Sequence, residues 1–334
     1  MKLLFKSIGF LSYHLPLVNA FLLSKGKQPY RIVYYHMASN QMPDYYFYNK
    51  GVGLDDFNRQ LKFYKKHFNV ISINQAIEMA QLGESLANCL TISTDDGFKE
   101  NYFEMAPLLA DHQLTSTLYL TNSLIDNQDL MWRNKLAYLI NKTSPQKLLQ
   151  VMVELAQTHQ LPIPKSVGEL MNWSKANFTC ANKDEFSTIL WNRTQEIDLD
   201  DYLNTNKPYL STSQISELIS AGYEIGAHSL THPFFDKLTI KEAEKELMGS
   251  IEGLEQKFNV AVPCFSYPFG NRTTPNIEQE LITKHALKLK CITGIKNQLN
   301  NNNQPYSWER DQMEHDFYMS MFRFMTLPII RKIL

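Results

Sequence analysis

Two clusters in this sequence have the residue types and spacing to do chemistry. The first is Thr94-Asp95-Asp96-Gly97, which ends an apolar, β-branched run beginning at Cys89. At a strand end the backbone turns, so adjacent side chains need not point to opposite faces, and Gly97 can take the turn dihedrals. Two carboxylates this close resist ionising together unless a cation sits between them. For either one alone, a helix N-cap is the competing role, because Phe98 to His112 has helical spacing. The second cluster is His228-Ser-Leu-Thr-His232, at the end of the run from Tyr223. His-x-x-x-His spacing puts two rings on one side of a helical turn, where one metal ion can bridge them. With nine histidines in the chain such a pair can arise by chance. Its weight comes from standing at a second strand end. One Asp with two His makes three ligands and leaves open positions for water, the arrangement of a hydrolytic metal site. Which aspartate ligates is open on residue chemistry alone.

The elements that must position these groups alternate in type. Strand patterns fall at Arg31 to His36, Asn69 to Ile73, from Cys89, Thr115 to Leu120, from Tyr223, Val262 to Tyr267 and Leu287 to Thr293. Helical spacing separates them at Leu54 to His67, Gln75 to Leu82, Phe98 to His112, Ser213 to Ala221, Thr239 to Phe258 and Ile277 to His285. Thr239 to Phe258 reads as amphipathic, with charges on its outer face. Seven strands with helices between them predict a parallel α/β sheet, most simply closed into a barrel. An open doubly wound sheet is the rival, but no Gly-x-Gly-x-x-Gly follows any strand. In a barrel, His36, Asp95, Asp96, His228 and Tyr267 all fall at the C-terminal strand ends, where chemistry gathers.

The stretch from about 121 to 210 breaks the repeat. Its helical patterns (Asp129 to Asn141, Pro145 to His159, Asp184 to Ile197) predict a helical insertion between the fourth and fifth strands, a lid or specificity element. Trp173 and Trp191 are expected in its own core. Trp132-Arg133, soonest after the strand, is the pair expected to touch substrate, with Trp132 the residue named for it. Asn300 to Asn303 reads as an exposed loop.

Of 334 residues, 44% are hydrophobic and the net charge is −1, which fits a globular chain and gives nucleic-acid binding no electrostatic support. The four cysteines are scattered, without a Cys-x-x-Cys pair, which favours a reducing compartment. Segments 1–29 and 317–334 are basic and apolar. Lys2, Lys6, Lys25, Lys27 and Arg31 precede the first acid, Asp44, and Arg323, Arg331 and Lys332 follow the last, Asp316. Such ends suit peripheral contact with an anionic membrane, or are terminal helices packed on a domain spanning 30–316. The expected location is cytoplasmic or inner-membrane-associated. It becomes periplasmic if Lys2 to Ala20, interrupted by Ser12, His14 and Pro16, is a signal peptide.

Together, Thr94-Asp95-Asp96-Gly97 and His228-Ser-Leu-Thr-His232-Pro resemble the polysaccharide deacetylases of carbohydrate esterase family four, the NodB homology group. Tyr34-Tyr35-His36 and Ser266-Tyr267-Pro268-Phe269-Gly270 match two further signatures of bacterial members, and the resemblance runs in order from about Arg31 to Arg310. It implies a distorted (β/α)7 barrel, a divalent metal on Asp96, His228 and His232, and Asp95 as general base. Zn2+ suits this donor set, as Co2+, Ni2+ or Mn2+ would. It further implies that the backbone N–H of Tyr267 helps hold the oxyanion, with Pro268, Phe269 and Gly270 shaping the substrate side of that turn. The late Leu-x-His of many members is absent, and the corresponding strand reads Lys288-Leu-Lys-Cys-Ile-Thr-Gly294. Members acting on poly-N-acetylglucosamine carry an early histidine after a strand, which makes His36 the expected general acid and His315 the reserve. The Arg-x-Pro that orients the base is also absent; Arg310 is the candidate replacement and Arg272 the second. The implied function is metal-dependent removal of N-acetyl groups from an amino sugar of a bacterial surface polysaccharide or glycolipid. A deformylase or amide hydrolase on a lipid-linked sugar at the inner membrane is one rival. A catalytically inactive carbohydrate-binding relative is another, against which Asp95, Asp96, His228 and His232 argue.

Overall fold

The computed structural model describes residues 2–14, 28–46, 51–296, 300, 307–313 and 316–326. Short runs, most of them apolar on both faces, build the sheet, because the wall strands have helices outside and packed side chains inside. They are β1 (Arg31–Tyr35), β2 (Asn69–Val70), β3 (Cys89–Asp95), β4 (Thr117–Leu120), β5 (Glu224–Ala227), β6 (Cys264–Ser266), β7 (Cys291–Gly294) and β8 (Ser307–Gln312). All pairings are parallel. β1 pairs with both β3 and β8, which closes a barrel of seven strands in the order β1-β3-β4-β5-β6-β7-β8. The structure differs from expectation in which strands form the wall. Asn69 to Ile73 shrinks to two residues beside the start of β3, and Ile73 already begins a helix. The seventh wall strand is β8, Ser307-Trp-Glu-Arg-Asp-Gln312, whose charges conceal it in the sequence. The expected strand from Leu287 starts only at Cys291.

Alternate strand residues fill the barrel. Ile32, Tyr119, Cys264, Cys291 and Trp308 form one buried cluster, joined by Ile73, Ala76 and Ile77 of the helix Ile73–Gln81. Gly226 is required there, since a Cβ at this position would lie 2.5 Å from the Tyr119 ring. The opposite strand faces, with Val33, Ile92, Leu118, Ile225 and Phe265, pack under the surrounding helices. The insertion lies between β4 and β5 as expected, with helices Trp132–Lys142, Pro145–Thr158, Leu170–Asn177, Lys183–Thr194 and Leu199–Asn206. Its tryptophans, Trp132 included, share a separate aromatic core.

The segment after 316, expected as a tail, continues the fold at least to 326. Phe317, Met321 and Phe324 belong to the main core, and Phe5 of the helix Lys2–His14 stacks on Phe322 at 4.6 Å. Lys25, Lys27, Asn301 to Asn303, Arg331 and Lys332 lie outside the described residues. Among the described residues no helix is long and apolar enough to cross a membrane.

Helix formation after Asp96 is uneven. A π-helical turn at Asn101–Met105 follows Glu100, which is buried with Oε2 lacking a hydrogen bond. Burial pushes the Glu100 carboxyl up to about 7. A carboxyl raised in the folded state binds its proton more tightly there, so it favours folding at low pH. That contribution fades as pH rises from the unfolded value, 4.5, through about 7. Glu100→Gln should therefore flatten this slope and gain on the order of 3 kcal/mol over wild type above pH 7. Thermal unfolding of both proteins at several pH values checks this; parallel curves would refute it.

Candidate metal and catalytic site

The C-terminal ends of β1, β3, β5, β6 and β7 converge on one cavity of about 560 Å3, open to solvent, with Arg310 reaching it from β8. Asp95 is the last residue of β3, and its carboxylate accepts both terminal nitrogens of Arg310 from β8, at 2.6 and 2.8 Å. Both side chains are buried. The Arg310 guanidinium is held between the Tyr34 ring at 4.6 Å and the Tyr119 ring at 5.0 Å. Burial alone would push the Asp95 carboxyl up; Arg310 and then His228 outweigh it and hold Asp95 below the usual carboxylate range. Asp95 is thus an ionised acceptor with one fixed orientation.

Asp96 turns the other way because its backbone is left-handed, φ 69°, followed by Gly97 at φ 72°. Its Oδ1 lies 3.2 Å from His232 Nε2 and 3.5 Å from His228 Nε2. His228 follows β5, and its N–H donates to the Leu120 carbonyl at 2.9 Å. Its Nδ1 meets the Ser266 carbonyl at 2.8 Å, which makes Nδ1 the protonated nitrogen and leaves the Nε2 lone pair facing Asp96. One ligand atom from each of Asp96, His228 and His232 falls within 4.8 Å of the others, and all three residues are buried. Asp96 Oδ1 has no hydrogen-bond partner there. An orphaned buried carboxylate oxygen facing two imidazoles fits a divalent cation, because the ion supplies the missing partner.

The turn bearing the histidines is strained. Ser229 and His232 are left-handed at φ 76° and 57°, a conformation that costs non-glycine residues of order 1 kcal/mol each. Ser229 Oγ accepts the His232 N–H at 2.9 Å. Glu246, buried on the helix Ile240–Phe258, accepts the N–H groups of Leu230 and Thr231 at 2.9 and 3.0 Å and the Thr231 hydroxyl at 2.8 Å. Three donors on one carboxylate hold the turn from behind. Glu246→Gln puts an amide N–H against these donors, so metal affinity should fall roughly 10- to 100-fold. Zinc titration of the folded variant reads this, and an unchanged Kd would remove Glu246 from the site.

His36 follows β1 and lines the cavity, edge-on to Tyr34 and Tyr46, and the Asn101 side chain donates to its carbonyl at 2.8 Å. Phe269 and Gly270 also line it, and the Phe269 ring lies 4.5 Å from that of His232. Pro268 is buried behind them, where its fixed φ starts the turn.

Three expectations change. The Tyr267 N–H does not face the cavity: it donates to the Thr293 carbonyl at 3.1 Å, extending the β6–β7 ladder, and the Tyr267 ring packs against Phe235 and Phe265 with its hydroxyl beside Thr273. Trp132 is buried rather than in contact with the cavity, and its Nε1–H donates to the His232 carbonyl at 3.0 Å. It steadies a ligand instead of meeting substrate, and the next two residues, Arg133 and Asn134, line the cavity in its place. Arg272 is engaged by Glu278 and Glu309, at 2.9 and 2.8 Å, and takes no part in orienting Asp95. His315 lies outside the described residues. Sequence reasoning missed Glu246 and Asn134, whereas Arg133 was expected beside substrate together with Trp132. The only signal for Asn134 was its place directly after Trp132-Arg133.

A family described as Polysaccharide deacetylase matches residues 173–285. That segment holds His228, His232 and Tyr267, while His36, Asp95, Asp96 and Arg310 join it through the barrel. No curated protein matches the sequence. Among solved structures, the chain is similar to the Streptococcus pyogenes deacetylase PplD in complex with acetate, with TM-score 0.58 and 13% identity over 90% of this chain and 99% of that one. It is similar to IcaB from Ammonifex degensii, with TM-score 0.56 and 12% identity over 90% and 97% of the two chains. The BpsB deacetylase domain from Bordetella bronchiseptica gives TM-score 0.52 and 14% identity over 86% and 97%. At such identities the likeness is one of fold.

Proposed function

We propose that this chain, a member of the polysaccharide deacetylase family, is a metal-dependent hydrolase that removes N-acetyl groups from an amino sugar of a bacterial surface polysaccharide or glycolipid. One observation carries the reading: Asp96 and two histidine Nε2 atoms share a metal-sized space beside an aspartate held by Arg310. A divalent ion held by Asp96, His228 and His232, with Zn2+ the preferred ion, supplies Lewis acidity and lowers the pKa of water. Asp95 takes the proton of the attacking water. Arg310 keeps that carboxylate ionised and aimed. His36, in its protonated form, gives a proton to the leaving nitrogen as the C–N bond breaks, so the products are acetate and a free amine. A catalytically inactive carbohydrate-binding relative would have no use for an ionised base beside such a ligand set.

Metal analysis with acetate release from N-acetylhexosamine oligosaccharides tests this, and metal-free protein inert toward every acetylated sugar would sink it. His36→Ala should lower kcat about 10²- to 10⁴-fold with metal content retained. Full activity in that variant would take His36 out of the reaction.

The helix Lys2–His14 favours the glycolipid form of the substrate, or a lipid-linked sugar losing acetyl or formyl. Its inner face packs through Phe5 and Tyr13, while Leu3, Leu4, Phe10 and Leu11 stay exposed. An exposed apolar stripe on a terminal helix suits a bilayer surface. Flotation with anionic vesicles at low salt reads it; protein left entirely in the soluble fraction ends this form of the reading.

A further inference from the structure

Resting on the amidohydrolase reading above, we propose that Arg133 and Asn134 form a subsite for a negatively charged substituent, so that the preferred substrate is an anionic N-acetylated sugar. Both residues stand in the first turn of the helix Trp132–Lys142 and line the cavity. The N-cap residue Met131 supplies no side-chain cap, so this helix directs a partial positive charge toward the cavity. A cation in the first turn opposes that dipole. Arg133 therefore adds a full positive charge at the same end of the helix, beside the cavity.

Asn134 provides the independent sign of a ligand. It is only 6% exposed, lines the cavity, and has no hydrogen-bond partner among the described residues. An amide that meets the cavity without a protein partner is available to donate to a bound acceptor.

The remaining lining adds no negative charge to oppose an anion. Its two carboxylates are those of the catalytic centre: Asp95 is paired with Arg310, and Asp96 is the charge the ligand set offers a cation. Tyr46, Phe98, Met131, Phe269 and Ile295 give it an aromatic and aliphatic wall suited to a sugar face. The Arg133 guanidinium lies 4.8 Å over the Phe269 ring, which sets its plane next to His232. A planar fork with an amide beside it donates to carboxylate or phosphate oxygens alike.

The test uses the full-length, metal-loaded protein and three probes: an N-acetylglucosamine oligosaccharide, its 6-O-phosphate, and an N-acetylated aminohexuronate oligosaccharide. We expect kcat/KM for at least one anionic probe to exceed that of the neutral one about tenfold or more. Phosphate and carboxylate arms separate the two sources of charge. Arg133→Gln should collapse this ratio, Asn134→Ala should lower it, and Arg133→Lys should keep most of it. Calorimetric titration with the same sugars reads the preference without turnover. If no probe is hydrolysed the deacetylase reading fails, while the binding ratio still decides the subsite. A wild-type preference for the neutral sugar, or an Arg133→Gln protein with an unchanged ratio, overturns the proposal.

Discussion

Asp95→Asn should keep its metal and lose kcat by roughly 10²- to 10⁴-fold. The substitution preserves shape and leaves an oxygen for Arg310 but removes the basic lone pair and the charge. Because Arg310 and His228 hold Asp95 below the usual carboxylate range, it is ionised throughout neutral pH and contributes no titration there. Any loss of wild-type rate through Asp95 protonation should come only in strong acid. The same substitution leaves the buried Arg310 with an uncompensated charge, a defect worth about 3–5 kcal/mol of stability. Rate and stability are separated by the double variant Asp95→Asn, Arg310→Gln. Neutralising both partners should recover much of the stability and none of the rate. A single variant within tenfold of wild-type kcat would remove Asp95 as the base.

The contrast between what was readable and what was not follows from length scale. Asp95, Asp96, His228 and His232 announce themselves because each pair sits at the end of its own short apolar run, a local pattern. The seven-strand barrel was readable for the same reason, except where a strand is polar. β8 turns Trp308 and Arg310 inward between charged neighbours, so periodicity alone could not raise it above a loop. Arg310 was named as a candidate, but its bidentate contact joins residues that only barrel closure brings together. The Trp132 error is one of helical phase. A shift of one residue turns a side chain about 100° around the axis, enough to send Trp132 to the His232 carbonyl and Arg133 to the cavity. The Tyr267 error is one of register: with Ser266 opposite Thr293, the next N–H is taken by the ladder. Glu246 was read as part of a charged outer face, yet it is buried, because the histidine turn offers it three donors.

Asp96→Ala should abolish metal binding and activity together. The cation loses its only carboxylate, and two neutral imidazoles lack the charge to replace it. His228 is already poised as a neutral donor: burial lowers its imidazole to about 4, against the opposing pull of Asp95, so Nε2 is unprotonated at neutral pH. The aspartate is then the group that supplies negative charge. Alanine also fits the left-handed backbone at φ 69° less well than aspartate, which would blur a comparison of stability. Asp96→Asn resolves this, since asparagine tolerates that conformation and changes only the charge. Both variants should lose the thermal stabilisation that saturating zinc gives wild type, about 2.7 kcal/mol at a hundredfold excess over Kd. The metal-free proteins should differ by no more than the backbone term. An Asp96→Asn protein that still gains the full zinc-dependent shift would show that the ion is held elsewhere, and the roles given to both histidines would fall with it.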